Sequence, residues 1–312
     1  MRNDRRVPEA PHPSVLGATF NHTLKKAPKT SKPTAPTLTP QPTAEQPFQA
    51  WQWQNGAFAP CDSVPITDRG FRYGMSVFES LRITRGRAEF FEPHFARLIQ
   101  ACFDRDFAVD GTALRATLAL FEESKLSGFA RIYVTAGDGA PSGPAAQPRL
   151  LVFIEDRPPP NTDDPLEIGL HDESYQPPFG GLKTANYWFN ADALAQARRK
   201  GLDETLLFND RAELVSATTA NVFLVIGDHI HTPRRSRGAR PGVIREWVIN
   251  RRKVQERRLR REDILAADEI FLTNSWIGIH PVATVEGRPL GPRSVGPRLA
   301  AELERHGSER PT

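Results

Sequence analysis

The chain has 312 residues, 39% hydrophobic and 25% charged, with a formal net charge of +4 at neutral pH. Residues 1–47 hold seven Lys/Arg (Arg2, Arg5, Arg6, Lys25, Lys26, Lys29, Lys32) against Asp4, Glu9 and Glu45, which leaves 34 basic and 34 acidic residues for 48–312. A balanced body gives no charge argument for a nucleic-acid surface, and no apolar run reaches the roughly 18 residues that span a bilayer. Cys61 and Cys102 lack CxxC or Cys/His spacing, so neither a disulfide framework nor a metal site is indicated. The Arg-rich start is not followed by the apolar stretch of a signal peptide. The expectation is a cytoplasmic protein with enough apolar material for two modest cores, and without a nucleic-acid or membrane partner.

Residues 1–46 are rich in Pro, Thr, Ala and Lys and poor in large apolar side chains, which predicts a disordered tail. Order should begin near Trp51, where Trp51-Gln52-Trp53-Gln54 alternates into the hairpin pair Asn55-Gly56. A strand follows at 76–84. A helix opens at Pro93, with Phe95, Leu98, Ile99 and Cys102 as its apolar face and Arg97 off that face. A second helix over 112–126 ends at Gly128, and Ile132, Val134 and the run 150–154 read as strands. This gives an α+β unit over 47–156, closed by a proline-rich linker, 157–165, that can continue neither strand nor helix. The second unit, 166–308, reads as a helix over 190–200, strands at 204–208 and 221–226, and a helix after Pro241-Gly242. Strands at 269–273 and 281–285 and a helix at 295–305 complete it.

Six short segments carry residue types that folding alone does not ask for. Asp68-Arg69-Gly70-Phe71-Arg72-Tyr73-Gly74, ahead of Val77-Phe78-Glu79, reads as a tight turn presenting side chains at a strand's edge, or as an ordinary connection. In His94-Phe95-Ala96-Arg97-Leu98 the His and Arg share a helical face, which suits either an anion or plain solvation. Gly181-Leu182-Lys183-Thr184-Ala185-Asn186-Tyr187 sets a lysine in an apolar, glycine-led context; desolvation near other cations would lower its pKa, as Schiff-base chemistry requires. Ser216 to Phe223 brings small hydroxylated residues into a strand. Gly238 to Arg245 opens a helix whose first amides are free for an anion. Thr273-Asn274-Ser275 places polar groups at the end of an apolar strand.

Together and in this order, over roughly residues 50–305, these segments resemble the class IV aminotransferase family, which includes branched-chain aminotransferases, D-amino-acid aminotransferases and 4-amino-4-deoxychorismate lyases. The resemblance implies an α/β (α+β), two-domain D-amino-acid aminotransferase-like fold with pyridoxal 5'-phosphate in the interdomain cleft, and a homodimer. Lys183 resembles the lysine that holds the cofactor as an aldimine and then works as general acid and base. Arg97 resembles the arginine that binds the cofactor phosphate, with the backbone amides of Val243 and Ile244 and the Ser275 hydroxyl beside it. Tyr187 and Asn221 match further cofactor contacts, and Tyr73, Asn274 and Trp276 are candidates for the substrate. His280 could face the substrate as well, but for Trp276 and His280 a packed tryptophan and a surface histidine are the favoured readings.

One position departs from the family. Ser216 stands five residues before Asn221, where the family carries a glutamate paired with the pyridine nitrogen, so a neutral hydroxyl would leave the ring a weaker electron sink. Glu213 is displaced by three along a strand and faces the other way. The expected function is a pyridoxal-phosphate transaminase or an aminodeoxychorismate lyase-like enzyme acting on an amino acid or amino-chorismate. The alternative is an attenuated family member serving as a binding or regulatory protein.

Overall fold

The computed structural model describes residues 48–144, 147–292 and 294–308; the tail expected over 1–46 lies outside them. Two sheets carry the architecture. The first contains β1 (Phe48–Gln54), β2 (Ala57–Pro60), β3 (Ser76–Thr84), β4 (Arg87–Ala88), β5 (Gly128–Thr135) and β6 (Arg149–Asp156). Their order is β2-β1-β6-β5-β3-β4, with every pairing antiparallel. Asn55 and Gly56 both take positive φ at the β1–β2 turn, as the hairpin pair requires.

Three helices attach to this sheet. The five-residue α1 (Arg69–Tyr73) is capped at its start by the Asp68 carboxylate and stopped by Gly74 at φ +66°. The longer α2 (Phe91–Phe103) and α3 (Gly111–Ser124) bury Phe95, Leu98, Leu114 and Phe121 against Leu81, Ile83, Val152 and Ile154. Helix α2 starts two residues before Pro93, and Ile99, expected on the buried face, is exposed: the face turns through Phe91, Phe95, Leu98 and Cys102 instead. Helix α3 ends at Lys125 in the left-handed region, and Gly128 opens β5 rather than closing the helix.

Residues 157–165 lead to a second, mixed sheet. Its strands are β7 (Leu166–Ser174), β8 (Glu204–Phe208), β9 (Leu214–Ala217), β10 (Asn221–Ile226), β11 (His229–Pro233), β12 (Val254–Arg257), β13 (Glu269–Asn274), β14 (Gly278–Val285) and β15 (Arg288–Pro289). The order is β12-β11-β10-β13-β14-β7-β8-β9, with β15 beside β14. Ile168, Leu206, Leu224, Ile270 and Leu272 pack on one side of it. Alternate residues such as Phe223 and Phe271 turn to the other side, where α5 (Val243–Arg251) and α7 (Val295–Ser308) bring Ile244, Trp247, Leu299 and Leu303. Helix α4 (Trp188–Arg199) covers Leu207 and Val215, and the short α6 (Arg261–Leu265) contributes Ile264 to the first side. None of the described helices is long and apolar enough to cross a membrane.

One short stretch ties the two sheets together. Lys183 lies on the chain that leads into the second sheet, yet its carbonyl accepts from Phe78 N at 2.9 Å and Ala185 N donates to Ser76 O at 3.1 Å. Val77 and Thr184 form an antiparallel bridge, so residues 183–185 add a rung to β3 at the end that β4 does not cover. Leu182 joins the core of the first sheet beside them.

Candidate active site

The Lys183 rung faces a cavity of about 650 Å³ walled by both sheets. Phe78, Arg131 and Tyr133 come from the first sheet, and Ser216, Asn221 and Thr273 from the second. Tyr187, Arg240 and Val243 come from the segments between strands. The Lys183 amine stands 3.9 Å from the centre of the Phe78 ring and 5.7 Å from that of Tyr187. Withdrawal from water, with the Arg240 guanidinium next in weight and Arg97 and Arg131 adding to it, pushes its pKa well below that of an ordinary lysine. Glu79 opposes the shift without reversing it. The shift favours the uncharged amine, the form that is a nucleophile.

Beside it, Glu79 organises a buried polar cluster. Its carboxylate is 1% exposed and accepts from Arg97 Nε and NH2, both at 2.6 Å, and meets His94 Nδ1 at 2.7 Å. Burial alone would raise its pKa, but the Arg97 charge and the bonds from His94 and Arg97 hold it far below the usual carboxylate range. On its other side His94 meets Ser275 Oγ at 2.9 Å. His94 therefore does not share an open helix face with Arg97: it is 1% exposed, between Glu79 and Ser275, and burial lowers its pKa despite the carboxylate. Arg97 also donates to the Pro241 carbonyl, which brings its guanidinium to the start of α5.

That helix start is shaped by Gly242. As the N-cap it has no side chain to engage the first-turn amides, and a Cβ there would collide with Asn221 Oδ1. Asn221 Nδ2 donates to Arg240 O at 2.9 Å, so Asn221 holds the 238–242 loop while lining the cavity. Val243 reaches the cavity wall, whereas Ile244 is not part of that wall: its side chain is buried with Trp247 behind it. Ser275 closes this corner. Arg97, Val243 and Ser275 are thus brought together around the helix start, with the Ile244 amide in the same first turn.

The other predicted positions divide. Tyr187 lines the cavity with its ring, while its hydroxyl donates to Thr218 O at 3.2 Å. Ser216 lies half-buried on the wall in β9, opposite Leu207. Glu213 turns away to Asn209, Arg237 and Arg258. Asn274 lines the cavity, but its amide is engaged by Thr219 O and by the Trp276 and Ile277 N–H groups. Trp276 sits at the mouth, edge-on to Phe129 and under the Arg157 guanidinium, 4.4 Å from its ring centre. Tyr73 lies outside the cavity beneath Arg72. His280 is buried and bonded to Asp164 O.

Sequence reasoning passed over several wall residues. Glu204 is a buried carboxylate whose oxygens accept from the amides and hydroxyls of Thr218 and Thr219, fixing the turn between β9 and β10. A charged residue opening the apolar strand Glu204–Phe208 was the available signal. Arg131 and Arg157 at the mouth carried none, whereas Thr273, in the Thr273-Asn274-Ser275 segment, is buried on the wall with its hydroxyl without a partner among the described residues.

The described family of amino-transferases of class IV matches residues 76–285. The aminodeoxychorismate lyase of Bacillus subtilis is 26% identical over 254 residues, covering 76% of this chain and 86% of that protein. Among solved structures, the 4-amino-4-deoxychorismate lyase of Pseudomonas aeruginosa superimposes with a TM-score of 0.73 at 26% identity, covering 79% of this chain and 96% of that one. The branched-chain aminotransferase of Thermoproteus uzoniensis gives 0.73 at 21% identity, with 83% and 94% covered. The chain belongs to the class IV aminotransferase family, and its two-sheet α/β architecture is that family's fold. It is a pyridoxal-phosphate-dependent enzyme of the transaminase and lyase type.

Proposed function

We propose that the cavity around Lys183 is the active site, that Lys183 is the cofactor lysine, and that the enzyme moves a proton on the α-carbon of an amino substrate that carries a second anionic group. The observation that carries this reading is the Lys183 amine: its pKa is pushed well down by burial and by Arg240, and it opens on a cavity that also contains a helix start free of side-chain caps. The residues fit the cofactor. The amides of Val243 and Ile244, the Ser275 hydroxyl and the Arg97 guanidinium would hold a phosphate, and Gly242, having no Cβ, lets Asn221 pack against the helix start. The Tyr187 and Phe78 rings and Asn221 would flank the ring, with Ser216 on the wall where its nitrogen would point.

When bound, pyridoxal phosphate supplies an aldehyde for covalent capture of an amine and a ring that withdraws electrons from the α-carbon. Lys183, with its pKa lowered and its amine 3.9 Å from the Phe78 ring centre, would take the α-proton at Nζ and return it at another carbon. Ser216, a neutral hydroxyl on the wall, would offer the ring a hydrogen bond but no charge, which leaves Lys183 as the group that moves the proton. At the mouth, Arg131 and Arg157 would attract a carboxylate of the substrate, and Trp276 and Phe129 would pack against its carbon skeleton. A dicarboxylic amino acid and an amino-chorismate both have that pattern, and both transamination and elimination use the same Lys183 step.

The assembly we propose is a homodimer; Phe71, Phe179 and Trp188 (86% exposed) support it as apolar side chains that a second copy would cover. A cytoplasmic setting, without nucleic-acid or membrane partners, is supported by the balanced charge of 48–312 and the unpaired cysteines. The test is the visible spectrum of the protein with pyridoxal phosphate, for the wild type and Lys183→Ala, before and after adding amino acids. An absorption band that requires Lys183 and shifts with a dicarboxylic amino acid is the expected result. A wild type without a band, or one whose band survives Lys183→Ala, overturns the assignment.

A further inference from the structure

The cluster Arg97–Glu79–His94–Ser275 has a direction built into it. Glu79, held ionised by Arg97, can only accept, so His94 donates to it from Nδ1. Neutral His94 then has only a lone pair at Nε2, and the bond to Ser275 at 2.9 Å must be donated by the Ser275 hydroxyl. In that arrangement Ser275 turns oxygen lone pairs, not a proton, toward the cavity. A phosphate dianion needs the opposite: it has acceptors and no donor.

We propose that His94 is a positioning residue that takes up one proton from solvent at Nε2 when a phosphate ester enters the corner formed by α5 and Ser275. As imidazolium it donates to Glu79 from Nδ1 and to Ser275 Oγ from Nε2, and the Ser275 proton, released from His94, is donated to the phosphate. The bonds from Nε2 to Ser275 and from Ser275 to the phosphate then both run toward the ligand, while the bond from Nδ1 to Glu79 is kept. No bond between heavy atoms changes; the one proton gained comes from the buffer. The groups that face His94 are Glu79 from β3, Arg97 from its own helix, Lys183 from the added rung and Ser275 after β13. Of these only Glu79 is negative, and burial, with the Arg97 charge, outweighs its pull, which keeps the imidazole neutral until a further negative charge arrives. The same carboxylate therefore orients the guanidinium and the serine that meet the phosphate. The inference rests on the reading of this corner as the phosphate site.

Proton uptake can be measured by titration calorimetry at pH 8 in buffers of different ionisation enthalpy. The probe is pyridoxine 5'-phosphate, which has no aldehyde to react with Lys183 and whose phosphate, with a second pKa of roughly 6, is free as the dianion. The comparison is between the full wild-type chain, His94→Gln and Ser275→Ala; ring ionisations of the probe are common to all three. The expected result is an uptake greater in the wild type than in either variant by about one proton per chain. An equal uptake in wild type and His94→Gln overturns the proposal, because the proton then resides on the phosphate or is not needed. Should His94→Gln fail to fold, Ser275→Ala, which leaves the Glu79–His94 pair intact, carries the same comparison. Absence of any binding heat in the wild type refutes the phosphate site itself and the relay with it.

Discussion

Replacing Glu79 by glutamine tests how much of the site is held by one carboxylate. The side chain keeps its shape but loses its charge, and its NH2 is placed against groups that themselves donate: Arg97 Nε and NH2 at 2.6 Å and His94 Nδ1 at 2.7 Å. Breaking a buried ion pair by removing one partner costs about 3–5 kcal/mol. Arg97 is 19% exposed and recovers some hydration, which brings the expected loss to about 2–3 kcal/mol. At about 2–4 °C per kcal/mol for a chain of this size, the midpoint of thermal unfolding followed by circular dichroism should fall by roughly 4–12 °C. The folded pKa of Glu79 is depressed, so its contribution is complete above the unfolded value near ~4.3 and is lost as the pH falls through the folded one. The gap between wild type and Glu79→Gln is therefore full at pH 7.5 and narrows in acid. A variant whose midpoint stays within about 1 °C of the wild type at pH 7.5 refutes the argument.

Gly242→Ala should weaken pyridoxal-phosphate affinity by roughly tenfold, about 1.4 kcal/mol, because its Cβ meets Asn221 Oδ1 and displaces the helix start; an unchanged absorbance titration speaks against that placement. His94 has a folded pKa below the ordinary value, so the unfolded chain binds its proton first. Stability should fall as the pH drops from about 6.5 toward the folded value, and His94→Gln should flatten that part of the melting profile. Ser216→Glu returns a carboxylate to the wall and should speed deuterium exchange at the substrate α-carbon; an exchange rate equal to wild type places Ser216 away from the ring nitrogen. Arg131→Gln should raise KM for a dicarboxylic amino acid by about tenfold or more while leaving that for alanine nearly unchanged, and equal effects on both would remove it from substrate recognition.

Strands at 76–84, 204–208 and 221–226 and the helix after Gly242 were legible because each combines a clear period with a turn or glycine at its boundary. Strands β7, β9, β11 and β12 were not, since each is short or interrupted by charged residues, and pairing in the second sheet decides them more than local preference does. The site was legible as motifs rather than geometry. Lys183, Arg97, Val243 and Ser275 meet at one cavity, but the tie between His94 and Ser275 joins residues 181 apart in sequence, which no spacing could announce. The heptad starting at Asp68 has a larger structural share than its motif suggested. The fully buried Arg69 donates to the carbonyls of Ala136, Gly137, Ala140, Gly143 and Pro144, while Asp68 is bonded by Thr135 and Arg149.

The rung that Lys183 adds to β3 makes the two halves of the sequence behave as complementary fragments. A cut within Pro158–Pro160 leaves the lysine on the C-terminal piece, but its backbone remains paired with Ser76, Val77 and Phe78 of the N-terminal piece, and Leu182 remains in that piece's core. Fragments ending and beginning at this point should reassociate through strand pairing, and the seam along which they join is the wall on which the lysine stands.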